Sequence, residues 1–540
     1  MGNRPGQHIV VFGDYDSDGM TSCAIIVRAL RWLGAHVTYH IPLREDDGRG
    51  LTEAAVRSFA VQGAQLIVTT DCGSANVAEV ALAHTLGMDV IVTDHHTLYG
   101  ELPDCILVNP LLATGESAPL ATLAGAGVAF HLADALLSQA QPNSSARHDS
   151  EALLDLAATG IIGDVVSLTP HTWALARAGL QRLRTHPQPG LRALLAQADI
   201  PPEQLTERDV SFTLVPRLNA AARLDEPLTA LELLISDDPA TVQRLAAQLE
   251  NLNQRRQQLT DEVMTQARAQ IYAQLTGTNT SQRAAQARLV FVVGDQWPLG
   301  IIGLVAGRLA EEFGCAAIVL SRSGDECRGS ARGPEGVNLI AALAAHPEFF
   351  RRFGGHERAA GFTLATEQIE TLRAYLLERL AAEARQSPPL VDAAHASDTA
   401  RAPDDTPLKG ATEPLLVDCR LPLNRLTFDT YQAIRALAPY GAGFAEPHFV
   451  CQGARIMRCW RSGIEGRNLR LVLRDQTGER VFLWGRHGAI GDALRLAAPT
   501  LPAFDVVYTL DAFRRADGVS ELVLRILAMR PARQEDIKTT

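Results

Sequence analysis

The stretch IVVFGDYDSDG (9–19) decides how the chain is read. Four apolar residues form a short β-run, and the turn after it carries Asp14, Asp16 and Asp18 at alternate positions before closing on Gly19. Side chains two apart in an extended loop point the same way, so the three acids crowd together and repel unless a cation neutralises them. Outward from this stretch the pattern repeats: a helix-like segment from Thr21 to Leu33, HVTYHI (36–41), a helical pattern from Leu51 to Val61, QLIVTT (65–70), another from Ala75 to Leu86, and DVIVT (89–93). Strand and helix in strict alternation predict a parallel α/β sheet. Ligands of such sheets bind at the carboxyl ends of the strands. That is where Asp71 follows the third strand and where Asp94, His95 and His96 follow the fourth, so three loops converge on one edge.

A further acid, Asp164, lies in TGIIGDVVS after a helical run. Hard carboxylate oxygens with a little imidazole and no cysteine suit Mn²⁺ or Mg²⁺ better than Zn²⁺, and so many acids call for two ions. Two divalent cations ~3.5–4 Å apart can activate a water and stabilise the leaving oxygen of a phosphoryl displacement. Any single aspartate after a strand also serves as a helix cap or turn residue; the convergence points to a site. The GAG at 125–127 lacks a complete glycine fingerprint and a preceding strand, and reads as helix packing.

At 540 residues the chain is long enough for several domains. Ala240 to Leu275 is a proline-free helical pattern, with Val242, Leu245, Leu249, Leu252, Leu259, Val263 and Ile271 on its apolar side. It would span roughly 50 Å and connect two domains. A second α/β pattern opens at LVFVVGD (289–295), and residues 384–414 are rich in Ala, Pro, Asp, Ser and Thr, as in an exposed linker. The fold class is α/β: two α/β domains joined by a long helix, followed by a β-rich module. The boundaries are 1–238, a connecting helix and linker at 239–287, a second domain at 288–383, the linker at 384–414, and the β-rich module at 415–532.

The net charge of −11 argues against a uniformly basic coat for nucleic acid, yet residues 454–530 are locally +5. All but Lys409 and Lys538 of the 50 basic residues are arginines. That suits bidentate phosphate recognition, and codon bias in a GC-rich genome explains it equally. Trp460, Phe482, Trp484 and Phe513 lie in the β-rich module either as stacking surfaces or as core, with core favoured for at least two. Eight scattered cysteines without a CxxC pair, and no apolar run of ~18 residues, place the protein in a reducing cytoplasm away from membranes.

GDYDSDG, TTDCGS (69–74), VTDHH (92–96) and IIGDVV (161–166) together resemble the four motifs of the DHH phosphoesterase superfamily. VNP (108–110), PRLNAAAR (216–223), GSARG (329–333), FGGHERAAG (353–361) and APYGAGFAEPHF (438–449) are similar to its RecJ subgroup, the single-strand-specific 5′ exonucleases of bacteria. The resemblance implies a DHH domain, a DHH-associated domain and an OB-like domain. It implies metal ligation by Asp14, Asp16, Asp18, Asp71, His95 and Asp164, a phosphate contact for His96, and an orienting role for Asp94. GSARG and GGH look like phosphate-binding loops, with Ser330, Arg332 and His356 facing the metal cleft and Gly354 and Gly355 letting the backbone approach a phosphate, while Arg44, Arg217, Asn219 and Arg223 hold the strand. The implied activity is metal-dependent 5′ to 3′ degradation of single-stranded DNA to 5′-mononucleotides in recombination and repair. A monomer is expected, with a helicase and a single-strand-binding protein as candidate partners. Ala222 and Arg49 depart from the family's usual Gly and Tyr. Two other readings share these motifs: an enzyme for short oligonucleotides or a small phosphate compound, which would not need the β-rich module, and a non-catalytic scaffold, which would have lost ligands that are all present here.

Overall fold

The structure, a computed structural model, describes residues 6–43, 50–114, 120–139, 149–224, 226–276, 289–383, 415–463, 466, 468–485, 487, 491, 494–495, 501–514 and 520–532. Arg44, Arg49 and the expected linker at 384–414 lie outside them. Two compact units divide the chain, one reaching to residue 396 and the other covering the rest.

The first unit opens with β1 (His8–Gly13), α1 (Ser17–Trp32), β2 (His36–His40), α2 (Glu53–Val61), β3 (Leu66–Thr70), α3 (Val77–Thr85), β4 (Asp89–Thr93) and β5 (Ile106–Val108). These strands form one parallel sheet in the order β2-β1-β3-β4-β5. β1 sends its connection one way to β2, and β3 is then laid down on its other side, so the crevice between the carboxyl ends of β1 and β3 is the topological switch point. One face is filled by Val10, Phe12, Phe59, Ile67 and Val90.

Helices follow: α4 (Pro110–Thr114), α5 (Gly125–Gln139), α6 (Leu154–Gly163), α7 (Pro170–Thr185), α8 (Pro189–Gln197), α9 (Glu207–Asp209), α10 (Val215–Arg223) and α11 (Pro227–Ile235). The expected long helix is α12 (Pro239–Thr276), 38 residues and ~57 Å at ~1.5 Å per residue. Its amino-terminal half buries Val242, Leu245 and Leu249 while contacting α8, α10 and α11. Its carboxyl-terminal half buries Val263, Met264, Ala267 and Ile271 in the core of the second domain. One apolar stripe therefore welds the two domains.

The second domain is a mixed sheet, β6-β7-β8-β10-β9, built from β6 (Leu289–Asp295), β7 (Ala316–Ser323), β8 (Glu326–Arg332), β9 (Phe350–His356) and β10 (Ala359–Ala365), with α13 (Leu299–Phe313) between β6 and β7. Only β6 and β7 run parallel. In the second unit β12 (Phe449–Ser462), β13 (Asn468–Arg474), β14 (Glu479–Trp484), β15 (Phe504–Arg514) and β16 (Ser520–Pro531) close into a five-stranded barrel through the β12–β15 pairing, with the short β11 (Cys419–Arg420) beside β12. Closure removes the exposed sheet edges. Phe482 is fully buried in that barrel and Trp484 packs on its core, whereas Trp460 is 43% exposed on β12. No described helix is long and apolar enough to cross a membrane, and all eight cysteines are free thiols.

Candidate metal centre

The motif after β1 is not the extended loop expected from its alternation. Asp16 Oδ1 accepts hydrogen bonds from the Asp18 and Gly19 amides at 3.0 and 3.1 Å, which starts α1 at Ser17 and lifts Asp18 onto the first helical turn. The carboxylates meet through this turn. Asp14 and Asp16 come together with Asp71, which leaves the end of β3 with φ of 64°. Asp18 meets His95, from the end of β4, and Asp164, at the end of α6. The ligand atoms within each trio lie within 4.8 Å of one another.

His95 Nε2 connects the trios: it lies 3.1 Å from Asp71 Oδ1, 3.6 Å from Asp164 Oδ2 and 3.7 Å from Asp18 Oδ2. Among the described residues, Asp71 Oδ1 and His95 Nε2 are buried without a hydrogen-bond partner. The two atoms face each other at 3.1 Å without hydrogen-bond geometry, and a buried carboxylate oxygen and imidazole nitrogen left so carry a desolvation cost that a cation would remove. The titration behaviour points the same way. Burial, then the charges of Asp18, Asp16, Asp14 and Asp164, pushes the Asp71 carboxyl well above the usual range. Burial and the Asp16 charge bring Asp18 up to about 7, and burial with the Asp18 charge does the same for Asp164. Burial and the neighbouring His96 hold His95 below its ordinary value, which keeps its lone pair available. The donor set therefore fits hard divalent cations, and the two trios, overlapped by a third group of Asp71, His95 and His96, offer room for two of them.

Asp94 is set apart from this repulsion. Burial pushes its carboxyl up, but the His96 ring, the His96 charge and the amides of His96 and Ser74 outweigh it and hold Asp94 well below the carboxylate range. Its Oδ1 lies 2.8 Å from His96 Nδ1 and accepts the His95 and His96 amides, while Oδ2 accepts the Ser74 amide at 3.0 Å. An ionised Asp94 makes Nδ1 the protonated nitrogen and leaves Nε2 as the outward one. Asn109 braces this turn by donating to the His96 carbonyl at 3.0 Å.

The GAG segment, read as helix packing, has a larger part. The amides of Gly125 and Ala126, at the start of α5, donate to the two oxygens of Asp18 at 2.7 and 2.9 Å. The positive end of the helix thus offsets part of Asp18's buried charge. A Cβ on Gly125 would fall 2.6 Å from Asp71 Oδ1, and one on Gly160 would fall 2.5 Å from Asp18 Oδ1. A lone glycine pair gives no hint of this in the sequence, because its partner is an aspartate more than 100 residues away. Val165, directly after Asp164, is a β-branched residue held at φ of 59° with its side chain 67% exposed. The preceding carboxylate hangs from a strained turn.

The other expected residues are placed less uniformly. GSARG and GGH are not loops: most of the first lies in β8 and the second ends β9, both laddered to β10. Gly355 alone behaves as a turn residue, with φ of 142° and no room for a Cβ beside the Ala359 carbonyl. Arg332 Nη1 donates to Ser330 Oγ at 3.1 Å, and His356 is exposed at the strand end. Arg217 faces α12, donating to Glu250 at 2.7 Å and to the Thr213 carbonyl at 2.9 Å. Asn219 Oδ1 is buried without a partner. Arg223 Nη1 donates to the Gly300 carbonyl at 2.9 Å and ties the two α/β domains together, and Ala222 is buried within α10.

A centre of aspartates and histidines at the switch point of a 2-1-3-4-5 sheet, with a second α/β domain joined by a long helix, defines the DHH class of proteins. Family models agree: the amino-terminal domain of the DHH family matches residues 8–161, the DHHA1 domain residues 285–382, and the RecJ OB domain residues 417–520. The chain belongs to the RecJ family. It is 34% identical to the single-stranded-DNA-specific exonuclease RecJ of Dickeya dadantii over 82% of this chain and 74% of that one. It is 32% identical to the Bacillus subtilis protein of the same name over 88% of this chain, spanning 55% of that relative's length. Among solved structures, RecJ of Thermus thermophilus in complex with Mn²⁺ matches with a TM-score of 0.75 and 28% identity over 98% of this chain and 69% of that one. The same protein with Mg²⁺ gives 0.68 and 26% over 98% and 68%.

Proposed function

We propose that the chain is a metal-dependent exonuclease that degrades single-stranded DNA from its 5′ end to 5′-mononucleotides and serves recombination and repair. The observation that carries this reading is the pair of trios meeting at the unsatisfied His95 Nε2 and Asp71 Oδ1, in a chain whose relatives bear that name. Asp14, Asp16 and Asp71 would hold one cation and Asp18, His95 and Asp164 another. Mn²⁺ or Mg²⁺, when bound there, would supply Lewis acidity to activate a water and to stabilise charge on the leaving oxygen.

The chain's own groups do the rest. Ionised Asp94 fixes the His96 ring so that Nε2 faces the scissile phosphate, where it stabilises developing charge or delivers a proton to the leaving oxygen. Ser330, Arg332 and His356 hold a phosphate of the strand, and Arg223 keeps their domain in register with the first. The barrel with its RecJ OB match favours a strand over a short oligonucleotide as substrate. The intact ligand set argues against a scaffold.

Digestion of 5′-labelled and 3′-labelled single strands, with a duplex control, in Mn²⁺ and in chelator tests the reading. The expected outcome is early loss of the 5′ label, with metal only and on single strands only. Asp164→Ala should abolish this activity and keep strand binding in chelator; an undiminished rate refutes the metal assignment.

A further inference from the structure

The outer strand of the second domain carries an irregularity with a chemical consequence. β9 pairs with β10 in register from His356↔Ala359 to Arg352↔Thr363, then slips so that Phe350 faces Leu364 and Arg351 is left unmatched. The slip is forced by packing. Phe350 and Phe353 both pack against the core that contains Phe362, Leu364 and Cys327, although residues three apart in a regular strand point to opposite faces. A bulge between them resolves the conflict and turns Arg351 and Arg352 together onto the other face.

That other face is the one bearing Ser330 and Arg332, because Cys327 and Ala331 of β8 point into the core and Arg328, Ser330 and Arg332 point away from it. Over β6 and β7 the face is apolar, with Val290, Val292, Ala317 and Val319 packed in the core formed with α12 and α13. Over β8, β10 and β9 it turns cationic. Arg352 lies in one row with Thr363 and Arg328, and Glu326 is shared by Arg351 at 3.0 Å and Arg328 at 3.4 Å. One carboxylate against three guanidinium groups leaves a positive excess.

Between this row and the row of His356, Ala359 and Arg332 runs a bare strip, Gly354 paired with Gly361. Neither glycine has a left-handed φ. Nothing would crowd a Cβ at Gly354, and the nearest atom to one at Gly361 is a carbonyl oxygen 4.0 Å away. Glycine inside a strand costs stability, so two paired glycines without a conformational or packing reason mark a surface kept low for something that lies on it. The two charged rows are four residues apart along the strands, about 13 Å.

We infer that this strip is a second stretch of nucleic-acid track: the sugar–phosphate backbone lies over Gly354 and Gly361, and Arg352, supported by Arg351 and Arg328, holds a phosphate beyond the one held at Ser330, Arg332 and His356. The inference rests on the proposed function and extends it to Arg352, Arg351 and Arg328, which lie outside the family's motifs, whereas Gly354 and Gly361 belong to FGGHERAAG. The test is binding of a labelled oligo-dT by the full chain in chelator, by anisotropy, over a series of salt concentrations. Arg352→Gln should lower the slope of log affinity against log salt by about 0.7, one phosphate contact on a single strand. Gly361→Val should melt no lower than wild type, since a Cβ there meets nothing nearer than 4.0 Å and β-branched residues favour strands, yet bind several-fold more weakly. A slope for R352Q equal to wild type, or an affinity for G361V equal to it, overturns the inference. Absence of metal-dependent cleavage by the wild-type chain would instead overturn the proposed function, and the two failures are read in separate assays.

Discussion

Stripping the metals should make the first unit's stability fall as pH rises, and adding Mn²⁺ should cancel that fall. A carboxyl raised in the folded state keeps a proton that the unfolded chain has already lost. Between about pH 4 and 7 the folded state therefore binds more protons, and stability drops with increasing pH until the groups ionise. Asp18, brought from 3.8 to about 7, would alone account for about 4 kcal/mol above pH 7. Asp164 and Asp71 are raised in the same direction, but the three repel one another and titrate as a set, so their contributions overlap. Taking about 4 kcal/mol, with most of it expressed between pH 5 and 8, the melting temperature in chelator should fall by roughly 5 °C across that range for a unit of this size. Cations compete with protons for the same oxygens, so the stabilisation by Mn²⁺ should be larger at pH 8 than at pH 5. Asp155, raised to about 6 by burial on a different set of partners, adds a fall to both samples and drops out of the difference. Scanning calorimetry at several pH values, with and without Mn²⁺, measures all of this. A metal-induced increment that is flat with pH, or larger at low pH, would refute the assignment of these carboxylates as a metal-holding cluster.

Gly160→Ala places a methyl group against Ala126, Asp18 and Thr21; it should cost about 1–3 kcal/mol and weaken Mn²⁺ binding measured by calorimetry, because Asp18 is among the groups that must move. Val165→Gly removes a strained left-handed turn worth about 1–2 kcal/mol, so it should leave the melting temperature in Mn²⁺ unchanged or higher while loosening Asp164; a clear loss of stability contradicts the strain. Trp460→Ala should leave the barrel's melting intact and weaken oligo-dT binding by about 1–3 kcal/mol, whereas Phe482→Ala should lower the barrel's own transition by about 3–5 kcal/mol. Two variants that behave alike in both assays would show that exposure does not separate stacking from core here.

The fold was largely legible because its signals are local. Alternation of apolar runs and helical patterns marks β1 to β4, and the stripe on α12 shows a long connector before any contact is known. Helix starts are less legible: the sequence pattern marks α1 from Thr21, yet the helix begins at Ser17, because Asp16 serves as both cap and candidate ligand, and a pattern of acids does not say which role an oxygen takes. The bulge in β9 was also hidden. Phe350 and Phe353 look like an ordinary aromatic pair until their common core is seen, and Arg351 and Arg352 look like ordinary surface charge until the slip turns both to one face.

The site shows the same division between local and distant causes. Asp14, Asp16, Asp18, Asp71, Asp94 and His95 stand at element ends that the sheet topology brings together, so their meeting follows from strand order, and Asp164 joins them from the end of α6. What makes the meeting tolerable is supplied from elsewhere in the chain. Asp18 is held by two amides of α5, Asp94 by the Ser74 amide and the His96 ring, and the close approach of Asp71 and Asp18 to the helices depends on Gly125 and Gly160 having no side chain. Asp94 is thereby kept charged and fixed, while Asp18, Asp71 and Asp164 are left in need of a cation. The same residue type does opposite work because the donors around it differ: those of Asp94 come from its own motif and from Ser74, whereas those of Asp18 come from α5, more than 100 residues away, where no spacing within a motif encodes them.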